Sequence, residues 1–247
     1  AVAEGKVFFV TLDARLLALD AQTGRVVWQT RFGDPRDAYT ATGAPLVVKD
    51  KVVVGVSGAE YGIRGYLDAY DLATGEQAWR FWTIPGPGEP GHDTWGGTEA
   101  WRTGGGSTWV TGAYDPELDL LYWTVGNPSP DFNGEVRPGD NLYTNSVVAL
   151  DPDDGSLQWY FQWTPHDVWD YDGVNEVILT DLTIDGQNVE ALIHADKNGF
   201  LYALDRTDGR CCPPRSCPPP RKCTRVGDCP RRRPGASPRR GHRAWSP

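Results

Sequence analysis

Four side chains with oxygen donors stand where predicted strands end, and together they suit a hard metal cation. They are Glu60, Asn127, Asp170 and Asp172. Hard cations prefer carboxylate and amide oxygens, and residues 1–209 contain no cysteine or methionine that would serve a softer metal. Alternation along an extended segment would put Asp170 and Asp172 on one side of the chain. Two carboxylates that close together are unfavourable unless a cation or a proton neutralises them.

Each of these residues also has an ordinary structural interpretation. Glu60 lies in the glycine-rich run Ser57–Gly62, where a carboxylate is commonly a solvated turn residue. Asn127 precedes a proline, which is a frequent turn sequence. The acidic run 165–173 also contains His166, which we interpret as a structural hydrogen-bonding residue and not as a ligand. Only the combination of the four oxygen donors predicts a metal site.

A repeat array must position these residues, because one phrase recurs along the chain. Ala-x-Asp leads to a glycine, and a tryptophan follows that glycine by four residues. The full copies end at Trp28, Trp79 and Trp159, whereas a fourth copy reaches Gly209 and then has Pro213 at the tryptophan position. The repeat glycines are 51, 80 and 54 residues apart. Such spacing predicts the four-stranded blades of a β-propeller, which has about four to eight blades when closed.

Short runs rich in Val, Tyr, Phe and Trp supply the predicted strands. They are Lys6–Thr11, Leu16–Leu19, Val26–Thr30, Pro45–Val48, Lys51–Gly55, Tyr66–Tyr70, Gln77–Phe81, Leu120–Val125, Ser146–Leu150, Leu157–Gln162, Glu190–Ala195 and Phe200–Leu204. No stretch longer than about ten residues has a helical period. The predicted fold class is therefore all-β, a partial propeller of about four blades cut from a larger domain. The repeated tryptophans are expected to lay their rings over the neighbouring blade.

Composition changes abruptly at Arg210. Residues 210–247 hold eleven Lys or Arg against one acid, all five cysteines and nine of the twenty prolines. A basic tail of this kind would suit nucleic acid, and the even spacing of Cys217, Cys223 and Cys229 would suit a disulfide module. We predict neither, and no nucleic-acid partner, because a repeat broken in mid-phrase favours a frame-shifted or disordered segment. The predicted domains are 1–209 and 210–247, with no membrane-spanning run.

Several motifs in residues 1–209 carry a family resemblance. They are Thr42-Gly43-Ala44-Pro45, Ser57–Gly62, Gly104–Trp109, Gly126-Asn127-Pro128, Trp169–Gly173 and Asp196–Gly199. With them the chain resembles the pyrroloquinoline quinone (PQQ) dependent alcohol dehydrogenases of the methanol and ethanol dehydrogenase type. The resemblance implies about four blades of an eight-bladed periplasmic propeller that holds quinone and metal on its axis. It also implies oxidation of a small primary alcohol, with cytochrome c as electron acceptor.

The resemblance implies a role for each matching residue. Glu60, Asn127, Asp170 and Asp172 would hold the metal, and Asp170 would also be the catalytic base. Thr42, Ser57, Gly58 and Ala59 would hold the quinone's carboxylates and ring edge, Trp109 its flat face, and Lys197 its reactive carbonyl. Asp172 resembles the lanthanide-using branch, since the calcium enzymes commonly have a small residue there. One further carboxylate favours a trivalent ion over Ca²⁺ on electrostatic grounds.

Three further expectations follow. A non-catalytic PQQ-repeat scaffold of the cell envelope would share the repeat phrase but lack the metal ligands, so the four oxygen donors favour the enzyme. The family's adjacent cysteine pair lies upstream of the part that matches here, so Cys211-Cys212 is not that pair. This polypeptide by itself is expected to be impaired as an enzyme, because an open propeller leaves strand edges unpaired.

Overall fold

The structure is a computed structural model that describes residues 1–184 and 186–212. Over these residues the chain forms four antiparallel sheets, three with four strands and one with three. Within every sheet each strand pairs with the next strand along the chain. The predicted all-β, partial propeller fold is confirmed.

The strands have the following bounds. The first sheet contains β1 (Val2–Ala3), β2 (Lys6–Thr11), β3 (Arg15–Asp20) and β4 (Val26–Arg31). The second contains β5 (Leu46–Val48), β6 (Lys51–Gly55), β7 (Tyr66–Asp71) and β8 (Gln77–Trp82). The third contains β9 (Ala113–Asp115), β10 (Leu120–Val125), β11 (Ser146–Leu150) and β12 (Leu157–Gln162). The fourth contains β13 (Ile178–Ile184), β14 (Gln187–Ala195) and β15 (Leu201–Asp205).

Helical structure in the described residues is limited to short 3₁₀ turns in the connections. These are Pro35–Asp37, Ala59–Tyr61, His92–Trp95, Glu99–Thr103 and Gly134–Val136. None of the helices among the described residues is long and apolar enough to cross a membrane.

Hydrophobic side chains fill the spaces between successive sheets. Side chains alternate between the two faces of a strand, so neighbours in β6 enter different cores. Val52 and Val54 join the cluster shared with the first sheet, whereas Val53 joins the cluster shared with the third. A further cluster, including Tyr122 and Leu192, lies between the third and fourth sheets. The sheets are therefore stacked face to face, each packed on its neighbours.

The repeated tryptophan joins each sheet to the next, as the sequence predicted. A Cβ added to Gly75, Gly155 or Gly209 would lie 2.6 Å from the ring of Trp28, Trp79 or Trp159, respectively. These glycines have φ between 74° and 76°, a conformation that glycine adopts at little cost. The indole N–H of Trp79 also donates to the Pro152 carbonyl at 3.0 Å. Glycine thus opens the turn and leaves room for the ring of the preceding sheet.

We expect Trp79→Ala to lower the free energy of unfolding by about 3–5 kcal/mol, because it removes a buried indole and leaves a cavity. Trp79 is only 7% exposed, so the substitution removes a side chain that is packed on nearly all sides. Trp169→Ala is the matched control, since that ring is 59% exposed. Urea unfolding of both variants checks the prediction, and equal destabilisation by the two substitutions would contradict it.

Two parts of the prediction need correction or fall outside the structure. Strands β1, β9 and β13 were not predicted, and β14 begins at Gln187 instead of Glu190. The proposed tail 210–247 lies outside the described residues from position 213 onward. The backbone of Cys211 pairs with Leu204 of β15 in an isolated antiparallel β-bridge, and Cys212 has a free thiol. Cys212 is therefore not joined to Cys211.

Candidate cofactor and metal site

The predicted site residues follow strands that end on the same side of their sheets. Glu60 follows β6, Asn127 follows β10, Asp170 and Asp172 follow β12, and Lys197 follows β14. Strands β10 and β12 are the second and fourth of one antiparallel sheet, so they run in the same direction and end at the same edge. Strands β6 and β14 are likewise the second members of their sheets.

The segment Gly104–Trp109 connects the ends of β6 and β10. Gly106 N donates to the Asn127 carbonyl at 2.9 Å, and Gly126 N donates to the Ser107 carbonyl at 2.8 Å. On the other side, Thr108 N donates to the Val56 carbonyl at 2.8 Å. These backbone hydrogen bonds fix the loops of the second and third sheets relative to each other.

Asp172 is the centre of the candidate site. Its Oδ1 accepts a hydrogen bond from Asn127 N at 3.2 Å, and its Oδ2 accepts one from the Trp109 indole N–H at 3.0 Å. Asn127 and Asp172 are buried, with 2% and 8% of their surface exposed, whereas Trp109 is 38% exposed. A side chain at Gly126 would collide with the Asp172 carboxylate. The structure therefore brings three of the predicted residues into direct contact.

Asp167 shapes the loop that carries both candidate acids. Its fully buried carboxylate accepts hydrogen bonds from Trp169 N at 2.9 Å, Tyr171 N at 2.8 Å and Asn145 Nδ2 at 2.8 Å. Asp170 and Asp172 consequently adopt left-handed backbone angles, with φ of 57° and 61°. The prediction of an extended segment through these residues is wrong, because the Asp167 carboxylate folds the loop around itself.

His166 has the structural role expected of it. Its Nδ1 hydrogen-bonds with the Gly139 carbonyl at 2.7 Å, and its backbone N donates to the Asp140 carbonyl at 3.2 Å. The imidazole thus anchors the start of the acidic loop to the neighbouring connection.

Like charges accumulate around Asp172. Burial is the main cause that raises the pKa of Asp172 to about 6, against hydrogen bonding by Asn127 N and the positive charge of Lys197. Burial also raises the pKa of Asp170; the Lys197 charge opposes this, while the charges of Asp167 and Glu60 add to it. Glu60 is exposed and follows a strand of a different sheet, yet its negative charge contributes to the raised pKa of Asp170.

The donors around Asp172 suit a hard cation in an open site. The cluster offers carboxylate and amide oxygens, and a positive charge would relieve the repulsion between its acids. Among residues 1–184 and 186–212, no three His, Cys, Asp or Glu side chains converge as a protein-only cation cage would require. An ion bound there would also need the Asn127 amide oxygen and donors from a bound molecule.

The residues predicted to hold the quinone lie on two elements. Thr42 Oγ1 and Ser57 Oγ are 2.9 Å apart, and Ser57 pairs through its backbone with Thr40. Gly58 is buried with φ of 125°, and Ala59 is buried at the start of a 3₁₀ turn. Two hydroxyl groups at one edge could donate to a carboxylate of the ligand.

Lys197 projects from a tight turn after β14. The Asp196 carboxylate accepts a hydrogen bond from Asn198 N at 2.8 Å and lies 3.2 Å from His194 Nε2. Lys197 itself is exposed, and its charge lowers the pKa of both Asp170 and Asp172. The turn therefore presents a cation to the same neighbourhood as the acids.

Comparison with known proteins identifies the family. Residues 1–214 match the PQQ family model described as the glucose/ethanol/alcohol dehydrogenase β-propeller domain. The chain belongs to this quinoprotein family. It is 50% identical over 218 residues to quinohemoprotein alcohol dehydrogenase ADH IIB of Pseudomonas putida, which covers 83% of the chain and 31% of that protein.

Other quinoproteins are nearly as similar. The lanthanide-dependent methanol dehydrogenase of Methylacidiphilum fumariolicum (strain SolV) is 46% identical, covering 85% of this chain and 37% of the relative. The solved structure of quinohemoprotein alcohol dehydrogenase ADHIIG from Pseudomonas putida HK5 superposes with a TM-score of 0.81 at 46% identity, over 85% of this chain and 33% of that one. The chain thus spans about a third of the length of the quinoproteins it matches.

Sequence reasoning missed two residues of the candidate site besides Asp167. Asp131 Oδ1 accepts a hydrogen bond from Asn127 Nδ2. Arg137, which is fully buried, donates to the carbonyls of Pro130, Asp131 and Asp167 and so ties the Asn127 loop to the acidic loop. Asp131 lies four residues after Asn127, and this short spacing could have indicated it as a partner of Asn127. Nothing in the sequence marks Arg137.

Proposed function

We propose that this chain provides the metal- and quinone-holding part of an enzyme that oxidises a small primary alcohol to an aldehyde with PQQ. The observation that carries the proposal is the contact of Asp172 with both Asn127 and the Trp109 indole. It puts a candidate ligand pair beside the ring expected to support a flat cofactor. A repeat scaffold without catalysis has no need for acids clustered in this way.

In this proposal Glu60, Asn127 and Asp172 hold the cation, together with Asp170. Bound PQQ with its cation supplies the acceptor for the hydride that leaves the alcohol carbon. Asp170 removes the hydroxyl proton as general base, so that one proton goes to the carboxylate as the carbonyl of the aldehyde forms.

Other side chains bind and orient the cofactor in this proposal. Trp109 supports one face of the ring, since a stacked aromatic adds about 0.5–1.5 kcal/mol beyond burial. The hydroxyls of Thr42 and Ser57, with the small residues Gly58 and Ala59, receive the cofactor's edge, and Lys197 neutralises negative charge near its carbonyl.

The preferred cation in this proposal is a lanthanide. Asp172 adds one carboxylate to the ligand set, and extra negative charge favours the higher cation charge. The lanthanide-dependent methanol dehydrogenase among the relatives supports this choice. We also propose a periplasmic location and transfer of the electrons to a cytochrome c, as the family resemblance implies.

Equilibrium dialysis of the 247-residue chain with PQQ and either La³⁺ or Ca²⁺ tests the binding part of the proposal. We expect stoichiometric uptake of quinone and cation together, with La³⁺ bound more tightly. Dye-coupled alcohol oxidation then tests turnover, and binding without turnover is expected if segments outside this chain complete the pocket. Failure to take up PQQ with either cation would favour the scaffold interpretation.

A further inference from the structure

Asn127 is held at both its backbone and its side chain. Its backbone N donates to Asp172, as described above, and its side-chain Nδ2 donates to Asp131 Oδ1 at 2.5 Å and to the Pro128 carbonyl at 3.3 Å. Both hydrogens of the amide therefore have acceptors. Because Asn127 is 2% exposed, water does not compete strongly for these positions.

A carboxamide has one donor end and one acceptor end, and a cation can bind only the acceptor end. If the amide of Asn127 were rotated by half a turn, its oxygen would face the carboxylate of Asp131. Two acceptors in contact repel each other, so Asp131 selects the orientation in which Nδ2 faces it. The Asn127 oxygen then points away from Asp131.

The position of Asp131 is itself fixed by the fold. The buried guanidinium of Arg137 donates to the Asp131 carbonyl at 2.9 Å and to the Pro130 carbonyl at 3.0 Å. The same guanidinium contacts the Asp167 carbonyl of the acidic loop. The acceptor that faces Asn127 is therefore anchored to the loop that carries Asp170 and Asp172.

We propose that Asp131 is a positioning residue that orients the Asn127 carboxamide so that its oxygen is available to the cation. This inference rests on the proposed function, because it takes Asn127 to be a cation ligand. Asp131 acts in it as a carboxylate that can only accept, so that the Nδ2 end of Asn127 must face it.

Substitution of Asp131 by alanine, glutamate and asparagine tests whether Asn127 requires a partner that can only accept a hydrogen bond. Loss of a hydrogen-bonding partner behind a metal ligand lowers metal affinity by about 10- to 100-fold, which we expect for Asp131→Ala. Asp131→Glu keeps a carboxylate that can only accept from Asn127 Nδ2, so its affinity should stay within about fivefold of the original chain. The amide of Asp131→Asn can present either end to Asn127, so this variant should lose affinity as Asp131→Ala does. Equilibrium dialysis with La³⁺ in the presence of PQQ, with the metal counted by mass spectrometry, measures all three variants.

A double-mutant cycle with Asn127→Ala provides the second test. If Asp131 acts through Asn127, adding Asp131→Ala to Asn127→Ala should cause no further loss of affinity. Circular dichroism confirms that each variant is folded, and Asp131→Leu, which also lacks an acceptor, replaces the alanine variant if that one is not.

The outcomes distinguish this inference from the function on which it rests. If the original chain binds no La³⁺ with PQQ, both are overturned. If it binds and Asp131→Ala or Asp131→Asn binds equally well, or if Asp131→Glu loses as much affinity as Asp131→Ala, only the positioning role is overturned. Additive losses in the cycle would likewise show that Asp131 acts independently of Asn127.

Discussion

Replacing Asp170 with asparagine is expected to slow alcohol oxidation by about 10²- to 10⁴-fold, the usual contribution of a positioned general base. Asparagine cannot accept the hydroxyl proton, so the reaction would have to release it to water. The substitution suits the backbone, because Asp170 has φ of 57° and asparagine tolerates this conformation better than most residues. The expected defect is therefore chemical and not a consequence of misfolding.

The measurement is dye-coupled alcohol oxidation by a cofactor-loaded polypeptide that contains this chain and turns over. Asp93→Asn is the matched control, since Asp93 is an exposed acid in a connection outside the site. Asn at position 170 retains an oxygen donor but loses one carboxylate charge, so the rates are compared with PQQ and cation at saturating concentrations. A variant that keeps more than a tenth of the original rate would remove Asp170 from the role of base.

Replacing Asp172 with asparagine should change which cation the site prefers. One carboxylate and one unit of cation charge at about 4 Å interact by about 4 kcal/mol at an effective dielectric constant of about 20, which sets an upper limit. The preference for La³⁺ over Ca²⁺ should therefore fall by about 10- to 10³-fold. Competitive dialysis of the two ions in the presence of PQQ measures this ratio directly.

Asp172 also holds the Trp109 indole, and the two effects must be separated. Trp109→Phe removes the N–H donor but keeps an aromatic ring, so it should weaken PQQ binding slightly and leave the La³⁺ to Ca²⁺ ratio unchanged. Asp172→Asn keeps a side chain of the same size, but its one oxygen can accept from only one of the Trp109 indole and the Asn127 N–H, so the Trp109→Phe variant shows how much of the change comes from the indole contact. An unchanged ratio in Asp172→Asn would mean that another group determines the choice of ion.

The sheets were predictable because their turns are specified locally. In each copy of the phrase the aspartate accepts from the backbone two residues later, as Asp20 does from Gln22 N and Asp205 does from Thr207 N. The missed strands lack such signals. Strands β1 and β9 have two and three residues, and β13 is an edge strand whose pattern is interrupted by Asp181. Pairing with a neighbour, which a single sequence does not show, determines these strands.

The candidate site was predicted less completely than the fold. Residues with a distinctive chemical type, such as Asp172 and Trp109, could be identified, and the structure puts them in contact. The residues that position them could not, because both act on backbone atoms, which a sequence does not distinguish: Arg137 donates to a carbonyl 30 residues away, and Asp167 accepts from N–H groups of its own loop. The same reason explains the error about the extended segment: alternation holds for a free strand, not for a loop wrapped around a buried carboxylate.

The contacts between tryptophan and glycine have a direction. Each ring reaches forward along the chain to the turn of the following sheet, and none reaches back. Successive units therefore have unlike faces: one face presents the indole ring, and the other presents the glycine turn that receives the ring of the preceding unit. Inverting one unit would place a ring against a ring, whereas lengthening a loop at the rim disturbs none of these contacts. Diversity in the chemical loops can thus accumulate while the stacking register stays the same.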